Sequence, residues 1–102
     1  MNIVTFGEID DKYIDPKHKV VHFQSGCDEK VGDIAVIDIN TIFDYEENKS
    51  HACKDKYVSV AIIDDDSDYD AFKNFGIDAW IQRDELGELN SLLNLIEKRF
   101  LS

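Results

Sequence analysis

Proline occurs once in 102 residues, glycine five times and cysteine twice. So little proline and glycine excludes a linker, a collagen-like chain and a low-complexity segment. Cys27 and Cys53 form no CxxC pair, and His18, His22 and His51 stand at no metal-ligand spacing from them. Both thiols are therefore expected to be reduced and structural. No apolar run exceeds a few positions, whereas a membrane span needs roughly 20. Met1 to Glu8 has no basic region and no long apolar stretch, which argues against a secretory signal and predicts a cytoplasmic protein. Cationic residues are also scarce: 11 Lys and Arg face 22 Asp and Glu, for a net charge of −11. Such a surface repels DNA, RNA and anionic lipid. It suits a bound cation, a basic protein partner or plain solubility.

What is present reads as one folded domain over residues 1–102, with 43% hydrophobic and 32% charged residues. Five short apolar runs predict strands: Ile3–Phe6, Val20–Phe23, Ile34–Ile37 ending at Asp38, Val58–Ile63 ending at Asp64, and Ala79–Ile81. The runs are continuous rather than alternating. That pattern means burial on both faces, as in a parallel sheet covered by helices.

Two helices are well signalled. Asp66, Ser67 or Asp68 can cap one whose inward residues are Tyr69, Phe72 and Phe75, with Gly76 as its stop and Ile77 packing back. The other starts near Asp84, with Leu86, Leu89, Leu92, Leu93, Ile96 and Phe100 as its apolar stripe. A weaker helix runs from about Tyr45 to Cys53. Gly7 to Lys19 shows no helical periodicity, and Pro16 discourages a helix through it. Gln24 to Asp33 has room for one turn. Both connections are short for parallel crossovers.

Acids stand at the carboxyl ends of the apolar strands: Glu8 after the first, Asp38 ending the third, and Asp64, Asp65 and Asp66 after the fourth. That edge is where open parallel sheets bind ligands. Three converging carboxylates there would hold a divalent cation. Asp64, Asp65 and Asp66 read better as helix caps, because a helix follows at once.

The stretch Asp33-Ile34-Ala35-Val36-Ile37-Asp38-Ile39-Asn40 resembles the third strand of the receiver domain of bacterial response regulators, with Asp38 at the phosphoacceptor position. The stretch Ala71 to Arg83 is similar to the family's fourth helix through fifth strand. Gly76 then falls on the family glycine and Trp80 on the aromatic switch position. The resemblance implies an α/β, flavodoxin-like fold with a five-stranded, mainly parallel sheet in strand order 2-1-3-4-5. It also implies an acidic pocket of Glu8 and Asp64 beside Asp38, with Glu8 and Asp38 as the weak ligands of any Mg²⁺.

Departures from the family point to a degenerate receiver. The acidic pair after the first strand aligns with about Gly7 and Glu8, leaving one carboxylate unless Asp10 or Asp11 is recruited. The switch hydroxyl falls on Ala61, which cannot hydrogen-bond a phosphoryl group. The Lys-Pro pair falls on Arg83-Asp84, and Thr41-Ile42 replaces Met-Pro. Arg83 can still contact an anion or pair with Asp38, but not as a compact ammonium. The first two helices look shortened. Phosphoryl transfer needs Mg²⁺ to neutralise the reacting oxygens, and one acid beside Asp38 supplies little of that.

The expectation is a non-enzymatic regulator, without cofactor, acting by contact with a protein. The partner would be a basic protein, a histidine kinase or a second copy of the chain, and neither nucleic acid nor membrane. The expected contact face combines the helix before Gly76, the strand with Trp80 and the outer side of the last helix. Two alternatives stand beside this. One is a phospho-accepting receiver using Asp38; the other is an acidic, nucleic-acid-mimicking inhibitor of a basic protein.

Overall fold

The apolar runs form five parallel strands: β1 (Asn2–Phe6), β2 (Lys19–His22), β3 (Gly32–Asp38), β4 (Cys53–Ile63) and β5 (Ala79–Gln82). A computed structural model describes residues 2–7, 9–23 and 32–101, apart from the side chains at 11, 51, 52, 54, 55, 100 and 101. The sheet order is β2-β1-β3-β4-β5, so the chain reverses its direction of growth between β2 and β3. The register sets Ile3 beside Val20 and Ile34, Val36 beside Val60, and Ala61 beside Trp80.

Alternate side chains of each strand enter opposite layers. Ile3, Ile34, Val36, Val60, Ile62 and Ile81 face one layer. Helix α3 (Leu89–Ile96) covers them with Leu89, Leu93 and Ile96, all buried. A single 3₁₀ turn at Asp11–Tyr13 stands where a first helix would lie, and Ile9 and Ile14 from that connection fill the same layer. Val4, Phe6, Ala35, Ile37 and Ile63 face the other layer, beneath α1 (Ile42–Ala52) and α2 (Asp66–Phe72). The reduced first helix expected from the sequence is thus a turn. Residues 24–31, Cys27 among them, and Glu8 lie outside the described residues.

Three boundaries differ from the expectation. Helix α1 starts at Ile42 rather than near Tyr45, because a 3₁₀ turn at Ile39–Thr41, capped by Asp38, feeds directly into it. Strand β4 starts at Cys53 rather than Val58, and its register against β3 is irregular between Gly32 and Ile34. The last helix opens as a 3₁₀ segment, Arg83–Glu88, and becomes α-helical only at Leu89. Helix α2 continues as a 3₁₀ turn, Lys73–Phe75, and stops at Gly76 in the left-handed region at φ 76°. Phe72 and Phe75 are only half-buried, and Tyr69, expected to point inward, is exposed.

Candidate functional site

The carboxyl edge of the sheet gathers Asp38 from the end of β3, Asp64 after β4 and Arg83 after β5. The register pairs Asp38 with Ile62 and Ile63 with Gln82, so the three strands end together at this edge and the parallel topology makes the cluster. Arg83 donates from Nη2 to Asp38 Oδ1 at 2.9 Å and from Nη1 to Asp38 Oδ2 at 3.1 Å. Its Nε donates to Asp64 Oδ1. The planar fork of a guanidinium suits this two-point grip, which an ammonium could not reproduce.

Asp38 has further partners. Its Oδ1 accepts from the backbone N–H of Asn40 at 3.0 Å and from Asn40 Nδ2 at 3.1 Å. Burial pushes its pKa up, but Arg83 and the Asn40 N–H outweigh that and hold the carboxyl below its ordinary value. The two carboxylates push Arg83 further into its charged form. The trio carries two negative charges and one positive.

Gly7 closes the site from β1. It lies at φ 101°, and a Cβ built on it would stand 2.7 Å from the Asp38 Cβ and 3.2 Å from Thr41 Cγ2. The Thr41 hydroxyl holds the same corner, sharing its proton between the carbonyls of Phe6 at 3.0 Å and Asp38 at 2.8 Å. Only glycine fits here.

The acids do not act together. Asp64 joins Asp38 through Arg83. Asp65 instead caps α2, where Asp68 Oδ2 accepts from the backbone N–H groups of Asp64 and Asp65 at 3.0 and 3.1 Å. Asp66 accepts from Gln82 Nε2. Ala61 is fully buried, its methyl in the layer beneath α1 and α2. Trp80, its neighbour across the ladder, is half-buried with its ring edge-to-face on Tyr69 at 5.1 Å.

Among the described residues, the carboxylates of Asp38 and Asp64 are turned to Arg83 rather than to an open cation position. Both Asp38 oxygens are held by Arg83, the Gly7 position admits no side chain, and no group of three metal-binding side chains occurs among the described residues. The guanidinium lies between the carboxylates of Asp38 and Asp64; Glu8, expected with Asp38 as a ligand of any Mg²⁺, lies outside the described residues.

No family model, curated protein or solved structure matches the chain. No helix among the described residues is long and apolar enough to cross a membrane.

Sequence reasoning missed Phe43. It lies in the first turn of α1, ahead of where the weaker helix was expected to begin, and is 66% exposed.

Proposed function

We propose that the chain is a flavodoxin-like, degenerate receiver domain that regulates another protein by contact and works without phosphorylation. The observation that carries this reading is the bidentate Arg83 grip on Asp38. A carboxylate whose two oxygens are both held by a guanidinium is a poor nucleophile, and its attack on a phosphoryl group would first require that ion pair to open. Gly7 supports the same reading, because an acid restored there would collide with Asp38. Ala61 supports it again: even a phosphorylated Asp38 would find no hydroxyl at that position to pull.

Under this reading the domain has no turnover and needs no Mg²⁺. Its output is its surface, held in one state by the ion pair rather than switched. The partner is a protein, and the compartment is the cytoplasm. Incubation with acetyl phosphate and Mg²⁺, or with a beryllium fluoride analogue, tests it. Intact-mass and NMR measurements should show no Asp38-dependent adduct and no shift at Asp38, Ala61 or Trp80. Stoichiometric labelling that Asp38→Asn abolishes would overturn the reading and favour the phospho-accepting alternative.

A further inference from the structure

Three phenyl rings, one each from α1, α2 and the 3₁₀ turn after α2, lie against one another, with Phe72 and Phe75 also packed on the core beneath. Phe43 stands edge-on to Phe72 at 6.5 Å and to Phe75 at 6.0 Å, and the latter two are 5.4 Å apart. Phe43 is 66% exposed, more than Tyr69 or Leu95 at 45% each. A single exposed leucine such as Leu95 needs no explanation. A connected aromatic patch differs: phenyl rings have no polar handle, and aromatic side chains anchor many interfaces. We propose that this cluster is the docking surface for a partner segment that is apolar at its centre and flanked by Lys or Arg.

Charge selects that occupant. Asp44 and Glu47 on α1, next to Phe43 and one turn on, are exposed, whereas Lys73 beside Phe72 is an exposed cation and Asp66 and Asp70 lie on the Trp80 side of α2. Lys49 is paired with Glu46 at 3.2 Å, so it offsets little of this charge. A second copy of the chain would bring the same acids and another net charge of −11 to the interface. Like charges brought face to face disfavour that pairing, and the same field repels phosphate backbones and anionic lipid. A cationic segment gains on both counts. Its apolar residues cover the rings, and its Lys or Arg groups meet the acidic rim or stack on the rings themselves.

This proposal rests on the contact reading above and fixes the partner's chemistry. Its test uses the intact chain and a synthetic Leu/Lys amphipathic helical peptide, with a Leu/Glu peptide of equal length as control. The expected result is binding of the Leu/Lys peptide alone, weakened by salt, with amide shifts centred on α1 and α2. Phe43→Ser should weaken it about tenfold or more, as loss of an aromatic anchor does, while circular dichroism and a cooperative melt show that the chain remains folded. Leu95→Ser should leave binding intact. Shifts centred elsewhere, equal binding by Phe43→Ser, or no binding of the Leu/Lys peptide would overturn the proposal. So would self-association of the free chain that Phe43→Ser abolishes. The two readings fail separately. Asp38 labelling with peptide binding retained removes the phosphorylation-independent reading and leaves the surface. Lost peptide binding without labelling does the reverse.

Discussion

Arg83 and Asp38 meet through two nearly parallel hydrogen bonds, 2.9 and 3.1 Å long, across the carboxyl ends of β5 and β3. The pair opposes two forces on Asp38. Burial favours the neutral acid, and the guanidinium favours the anion and prevails. Removing Arg83 leaves burial and the Asn40 contacts. Arg83→Ala should therefore raise the Asp38 pKa and cost about 1–3 kcal/mol, the range for leaving a charged group without its partner. A carboxyl-carbon NMR titration checks the direction. An unmoved Asp38 titration would mean that the ion pair does not form in solution.

The same pair predicts acid sensitivity. The folded-state pKa of Asp38 is depressed below the unfolded value, about 3.9 for a free aspartate. Its stabilising contribution is thus complete above the unfolded pKa and is lost as pH falls through the folded one. Urea melts from neutral pH downward should show the wild type losing stability below about pH 5 more steeply than Asp38→Asn. Parallel curves would show that Asp38 contributes nothing to acid unfolding.

Much of the sheet was legible because its signal is local. Continuous runs such as Ile34–Ile37 and Val58–Ile63 need helices on both faces; the order β2-β1-β3-β4-β5 is not local, and the observed one is that implied by the receiver resemblance. That Asp38 and Asp64 share one sheet edge was legible for a related reason, because strand ends are countable, whereas Arg83 was placed there by the receiver resemblance. The mutual geometry of the three was not legible. Whether carboxylates at one sheet edge enclose a cation or a guanidinium depends on how the 3₁₀ segment after β5 directs Arg83, and no periodicity encodes that. Helix α1 was hardest to place. Its apolar stripe is weak because it buries little beyond Ile42 and Tyr45, so its start and the exposed Phe43 were not visible.

Gly7 provides a backbone test. A left-handed φ and a 2.7 Å approach to the Asp38 Cβ make any side chain strained there. Gly7→Ala should cost at least about 1–3 kcal/mol by chemical denaturation. It should also disturb the amide resonances of Asp38 and Thr41. A neutral substitution would mean that the β1 turn relaxes away from β3.

Leu93 tests the register of α3. It is fully buried in the layer that also holds Val36, Val60 and Ile62. Leu93→Ala should cost about 2–5 kcal/mol, the range for a leucine truncated in a packed core. Leu95→Ala, two positions away and 45% exposed, should stay within about 0.5 kcal/mol of the wild type. Equal effects at the two positions would place the helix in a different rotation.

Trp80 separates a packing role from a contact role. The sequence puts Trp80 on the strand of the expected contact face. In the fold it is half-buried, edge-to-face on Tyr69 at 5.1 Å, with Ala61 across the ladder. A ring so placed stabilises the domain through the area it covers and through the aromatic pair, itself worth about 0.5–1.5 kcal/mol. Trp80→Ala should thus lower stability by about 1–3 kcal/mol, less than a fully buried tryptophan would. Tyr69→Ala should lower it less, because Tyr69 is 45% exposed. The double variant should lose less than the sum of the two, by about the energy of the pair. The measurement is a double-mutant cycle by urea denaturation, read beside binding of the Leu/Lys peptide. Lost stability with peptide affinity unchanged places Trp80 in the scaffold and leaves docking to Phe43. Unchanged stability with affinity lost would move the contact surface to β5, where the receiver resemblance puts it.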